Sequence, residues 1–166
     1  YVAKKLIGEN ILPFKPTDVG ITDWRKDDGS LTRKDINNVT CLLCLGKTSS
    51  KTSTPAIIEK RESIMDVFWK TIVASKNFGA EGAKSNTLLA QPVVLKALAK
   101  LVNDLVWGHI NIRNTKSYEK LIKSIKDETL GFSHKDIMWT ALFCENDAER
   151  EKKFPGMGKY LYVPDD

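Results

Sequence analysis

Two cysteines separated by two residues have the spacing in this sequence that most resembles a chemical motif. A helix would place both thiols of Cys41-x-x-Cys44 on one face, and this spacing occurs in redox and zinc sites. A redox pair needs an exposed helix amino end, whereas a zinc site needs two further ligands with matching spacing. The pair lies among leucines, and the third cysteine, Cys144, is distant in sequence. We therefore predict buried, reduced thiols with no disulfide framework, metal site or cofactor.

The two histidines, His109 and His134, are the remaining candidates for acid–base chemistry. A general base needs a nucleophile or a polarised substrate within reach. The sequence contains no G-x-S-x-G or H-E-x-x-H motif and no phosphate-binding glycine loop. The carboxylate pair Asp27-Asp28 precedes a glycine and is typical of a turn. We predict no catalytic residue and a non-enzymatic function.

Basic residues form two groups that could bind an acidic partner. One group flanks the turn at Asp28-Gly29, with Trp24 beside it, and the other brackets a Ser/Thr-rich loop whose hydroxyls and amides could also contact phosphates. The alternative interpretation is that these cations only keep two loops soluble. The candidate DNA-contacting residues are Arg25, Lys26, Arg33, Lys34, Lys47, Lys51, Lys60 and Arg61.

Residues that commonly begin or end helices lie before and after these candidate residues in the sequence. Thr32 begins T-R-K-D, a variant capping box, and Gly46 follows the last apolar residue, so we predict a helix over 33–45. Thr54-Pro55 predicts the start of a second helix that extends to about Lys76. Shorter helices are expected after Ser117, ending at Gly131, and after Ser133.

The stretch 85–108 carries the strongest helical pattern. Its apolar pairs recur every four residues and leave only Lys96, Lys100, Asn103 and Asp104 for water. Pro92 suits a first helical turn, and Gly108 suits a carboxyl cap with positive φ. We therefore predict a mainly α protein, an orthogonal multi-helix bundle packed around this central buried helix. Outside this stretch, the apolar residues near 19–24 and 160–163 allow two short strands.

Length and composition describe one ordinary globular unit. The 166 residues are 42% apolar and 28% charged, with a net charge of +5. No apolar run approaches the roughly 20 residues that span a bilayer, and we expect a cytoplasmic location without membrane partners. Residues 1–7 resemble the last turns of a helix that has no start signal. We expect 1–166 to be a single helical domain from the C-terminal part of a longer protein.

Five segments follow one another in a characteristic order: a Trp- and Arg-bearing loop with a GSL turn (24–31), VTCLLCLGKTSS, DVFW (66–69), an NFGA loop and LLAQPVVLKALAKLV. This order resembles the helical C-terminal part of DGQHR-domain proteins. The family includes the DndB-type protein of bacterial DNA sulfur modification, or phosphorothioation. The resemblance covers roughly residues 8–139, and the naming D-G-Q-H-R motif, which belongs to a ParB-like N-terminal region, is absent.

What this resemblance implies is association with DNA. DndB-type proteins are understood as DNA-binding regulators of the modification genes, so the implied partner is DNA. Because the motif-bearing region is absent, no functional residue of the family transfers to a position in this chain. A protein-interaction or dimerisation module without direct nucleic-acid contact, and hence a homo-oligomer, is the alternative expectation.

Overall fold

A computed structural model of the chain describes residues 11–13, 31–48, 55–109, 111–133, 148 and 152. Four long α-helices dominate this part: α1 (Arg33–Leu45), α2 (Pro55–Val73), α4 (Pro92–Trp107) and α5 (Thr115–Lys126). A short helix, α3 (Ala83–Asn86), and a 3-10 turn (Leu88–Ala90) lie between α2 and α4. No strand occurs among the described residues, so the predicted mainly α multi-helix bundle is confirmed. The strands expected near 19–24 and 160–163, like the helix expected after Ser133, lie outside the described residues.

The four long helices form a closed ring. The helix α4 packs mostly against α1 and also against α5 and the 3-10 turn, while α2 packs against both α1 and α5. The ring encloses one core in which the side chains of Phe68 and Trp69 are almost fully buried and meet edge to face at 5.8 Å between ring centroids. The indole Nε1 of Trp69 donates to Thr40 Oγ1 at 3.3 Å, which ties α2 to α1.

The helix α1 has the boundaries that its capping residues predict. The backbone N–H of Asp35 donates to Thr32 Oγ1 at 3.0 Å, and the Thr32 hydroxyl donates to Asp35 Oδ2 at 2.7 Å. Gly46 ends the helix at φ +71°, with its N–H donating to Leu42 O. The same Asp35 carboxylate accepts from Lys96 Nζ at 3.1 Å, so the amino end of α1 is also tied to α4.

The central helix is less uniformly buried than its sequence predicts. It begins at Pro92, which confirms the proline expected in its first turn, and Gln91 before it is extended, as residues before proline usually are. Val93 and Leu101 are each 44% exposed, and the prediction that Asn103 faces water is wrong, since this side chain is only 8% exposed. Gly108 caps the helix at φ −65°, not the expected positive φ. A Cβ at this glycine would lie 2.3 Å from Asp104 O, so close approach explains the residue there.

The other helix boundaries differ by a few residues from expectation. The helix α2 ends at Val73, three residues before Lys76. The helix α5 begins earlier than predicted, because Asn114 Oδ1, not Ser117, accepts the capping bond from a backbone N–H at 3.0 Å. It also ends at Lys126, well before Gly131. Among the described residues, no helix is both long and apolar enough to cross a bilayer.

Candidate nucleic-acid interface

The paired cysteines of α1 face the core. Cys41 is 7% and Cys44 is 3% exposed, and both thiols are free. Burial raises the pKa of Cys41, and it raises the pKa of Cys44 to about 11 even though the nearby Arg61 charge opposes the shift. Both thiols therefore stay protonated at neutral pH and are poor nucleophiles. The prediction of buried thiols is confirmed for this pair, and Cys144 lies outside the described residues.

Other residues considered for chemistry are dispersed or fall outside the described part. His109 is exposed just beyond α4, and His134, Asp27 and Asp28 lie outside the described residues. Within the described ranges, no group of three or more His, Cys, Asp and Glu side chains is arranged to hold a metal ion. The candidate site therefore has to be sought among the basic side chains.

The candidate cations of α1 lie at its two opposite ends. Arg33 and Lys34 are exposed in the first turn, and Lys47 is exposed just beyond the carboxyl end. A 13-residue helix is about 20 Å long, so the two ends cannot contact the same phosphate. Arg25, Lys26 and Lys51 lie outside the described residues. The structure therefore separates Arg33 and Lys34 from Lys47.

Arg61 joins the start of α2 to the carboxyl end of α1. Its Nη1 donates to the Cys44 carbonyl oxygen, and its guanidinium lies over the ring of Trp107 in α4, 4.6 Å from the ring centroid. A cation at this position also suits the negative end of the α1 dipole. Arg61 is half-buried, whereas Lys60 beside it is exposed. Because Arg61 fixes this junction, Lys47 and Lys60 belong to the same end of the bundle.

A third group of cations, on α5, does not appear among the candidates from sequence. Lys116, Lys120 and Lys123 follow one another at the i, i+4, i+7 spacing of a single helix face, and all three are exposed. The opposite face carries the buried side chains of Tyr118, Ile122 and Ile125. The sequence carries a signal for this group, because the three lysines repeat with the period of an α-helix.

The described helices border a groove and a pocket. A groove of about 470 Å³ between α2 and α5 has an apolar floor that includes Val67 and Ile122, with Lys123 and Lys126 among its lining residues. A second pocket, of about 410 Å³, lies where α2 and α5 end. Asn77 (φ 64°) and Glu128 (φ 54°) both line this second pocket in left-handed backbone conformations. Neither surface holds an arrangement of side chains that suggests catalysis.

Comparisons with known proteins identify no relative of this chain. The chain matches no protein-family model, and no curated protein and no solved structure shows significant similarity to it.

Proposed function

We propose that this chain is a non-enzymatic, DNA-associated helical domain of the DGQHR, DndB-like type, from a DNA sulfur modification system. Its role is to contribute to DNA binding or to transcriptional regulation of the modification genes. The resemblance described above supports the assignment. Its segment VTCLLCLG forms the second half of α1, and LLAQPVVLKALAKLV forms the 3-10 turn and most of α4; α1 and α4 are the two helices with the most extensive mutual packing.

The observation that carries the proposal is the position of exposed cations at one end of the bundle. Arg61 holds the start of α2 against the end of α1, so Lys47 and Lys60 flank the same junction. The Ser/Thr-rich loop that contains Lys51 connects these two helix ends in sequence. Lysines, hydroxyls and backbone amides together are the groups that contact DNA phosphates without reading the base sequence.

Charge reversal in this loop tests the proposal. Lys47→Glu combined with Lys51→Glu should weaken binding to a mixed-sequence DNA duplex and reduce the dependence of affinity on salt, as measured by fluorescence anisotropy across a salt series. Lys70→Glu combined with Lys76→Glu changes the net charge equally at exposed positions outside the loop. Equal salt curves for the two double variants would remove the loop from the interface. An unmodified chain that binds no duplex at low salt would contradict the proposed function itself.

A protein-interaction module is the second candidate, because the groove between α2 and α5 leaves apolar surface accessible. Val67 is 37% exposed and lines this groove together with Ile64 and Ile122. A second copy of the chain would cover such a surface in a homo-oligomer. Light scattering over a concentration series should then show a dimer that Val67→Asp disrupts. A monomer at every concentration, with salt-sensitive DNA binding, would favour the first candidate.

A further inference from the structure

The lysines of α5 form a continuous cationic stripe on the outer side of the bundle. At 100° per residue, Lys116, Lys120 and Lys123 fall within an arc of about 60°, and the rise of about 1.5 Å per residue spreads them over about 10 Å. The buried face with Tyr118 and Ile122 lies on the other side of the helix. The core therefore fixes the helix rotation that turns the three ammonium groups outward.

This segment also accounts for most of the net charge of the chain. Residues 113–126 contain five cationic residues and one acidic residue, Glu119, which makes a net charge of +4. The whole chain carries +5, so the other 152 residues contribute only +1. Asp127 and Glu128 follow directly after the helix and limit the stripe at its carboxyl end. Within 113–126 basic residues therefore outnumber acidic ones five to one, although 21 of the 26 basic residues lie elsewhere in the chain.

We propose that Lys116, Lys120 and Lys123 bind the phosphate backbone of double-stranded DNA, an inference that rests on the proposed function and assigns a contact surface to it. Duplex DNA carries about one negative charge per 1.7 Å of its axis, so a stripe about 10 Å long faces several phosphates. Lysine ammonium groups act as point charges on flexible stems and carry no bidentate base-reading geometry. The contact therefore positions the protein on DNA without selecting a sequence.

An anionic lipid surface is the other polyanion that such a stripe could meet, and the structure disfavours it. Interfacial helices bind membranes by burying an apolar face in the lipid while lysines contact the headgroups. In α5 the side chains of Tyr118, Ile122 and Ile125 are all less than 9% exposed, so this helix itself offers almost no apolar surface to a lipid. The accessible apolar surface of the adjacent groove lies mainly at Val67 of α2, and the stripe could attract a membrane only through its charges.

The test compares two variants of equal charge. Lys116→Gln, Lys120→Gln and Lys123→Gln together remove the stripe and keep good helix-forming residues, whereas Lys70→Gln, Lys76→Gln and Lys152→Gln remove three exposed lysines elsewhere. With a mixed-sequence 20-base-pair duplex, the stripe variant should bind about tenfold more weakly or worse, and its salt slope should fall by about 2.7, or 0.9 per lost contact. The control variant should bind within about threefold of the parent. Circular dichroism should show equal helix content in all three chains.

Three outcomes would overturn the inference, and they differ in what they say about function. If the parent chain binds duplex DNA and the two triple variants behave alike, the stripe is not the contact while the proposed function stands. If the stripe variant loses binding to phosphatidylserine vesicles but keeps its duplex affinity, the stripe recognises a lipid surface instead. If the parent chain binds no duplex even at about 20 mM salt, where screening of charges is weak, both the stripe assignment and the proposed function fail.

Discussion

The side-chain amide of Asn103 donates a hydrogen bond to the main-chain carbonyl oxygen of Leu43 at 2.8 Å. The two residues are 60 positions apart, and the bond joins α4, four residues before its end, to the last turn of α1. Helix carboxyl ends leave carbonyl groups without intrahelical partners, and burying such a group without one is costly. The buried Asn103 side chain thus supplies a hydrogen-bond donor to a carbonyl group at the end of α1.

Removing this amide should destabilise the protein. Asn103→Leu has a similar volume but leaves the buried Leu43 carbonyl without its donor, so the free energy of unfolding should fall by about 1–3 kcal/mol in urea titrations. Asn37→Leu makes the same change at an exposed position of α1 and should stay within about 0.5 kcal/mol of the parent. Equal stability of the two variants would show that the bond contributes nothing.

Gly46 should tolerate alanine less well than Gly82, although both have a φ just above 70°. A Cβ at Gly46 would lie 2.7 Å from Asn103 Oδ1, inside the core, whereas at Gly82 the nearest atom is the amide nitrogen of exposed Asn86 at 3.2 Å. We expect Gly82→Ala to lower the free energy of unfolding by about 1–2 kcal/mol, because alanine is strained in the left-handed backbone conformation. Gly46→Ala should lower it by more. Combining Gly46→Ala with Asn103→Ala should lower the free energy of unfolding by less than the sum of the two single changes, because the second substitution removes the clash. Strictly additive changes would argue against this contact.

Arg61 should matter more for stability than its neighbour Lys60. Arg61→Ala removes both the bond to the Cys44 carbonyl and the stacking over Trp107, and should lower the free energy of unfolding by about 1–3 kcal/mol. Lys60→Ala should change it by less than about 0.5 kcal/mol, because this side chain is exposed. Chemical denaturation of both variants measures the contrast. A loss of DNA affinity in Arg61→Ala counts as a direct contact only if the variant remains folded under the binding conditions.

The buried thiol of Cys44 should make stability depend on alkaline pH. Burial raises its pKa in the folded state to about 11 from 9.0, so the unfolded chain releases this proton first as pH rises. The contribution to stability is complete below pH 9 and is lost progressively between pH 9 and 11, by at most about 3 kcal/mol. Cys44→Ala should show a shallower decline over that range in urea titrations at several pH values. If the free energy of unfolding of the parent and of the variant declined equally with pH, the raised pKa of Cys44 would be contradicted.

Local signals in the sequence predicted the helices well, and long-range partners explain most of the errors. The ends of α1 follow from Thr32, Asp35 and Gly46, whose capping bonds span at most four residues. The apolar pattern of α4 wrongly predicts that Asn103 faces water, because the acceptor that allows its burial lies in a different helix. The start of α5 was misplaced because Asn114 and Ser117 are both good caps, and only the backbone path selects between them.

The candidate site was harder to predict than the fold. Exposure of Lys47 and Lys60 follows from their polar surroundings, but their common location at one end of the bundle depends on the contact of Arg61 with α1. The sequence places Arg61 among the candidate DNA-contacting residues, and no local pattern indicates its contacts with Cys44 and Trp107. Whether these residues bind DNA stays a prediction that the binding experiments decide.

The bond between Asn103 and Leu43 also has a consequence for the order in which the chain folds during synthesis. A ribosome that adds about 5–20 residues per second needs about 3–12 s to pass from residue 43 to residue 103. Throughout that interval the last turn of α1 exists without the amide that completes it. This hydrogen bond therefore forms only after residue 103 has been added, and it joins two segments that are synthesised seconds apart.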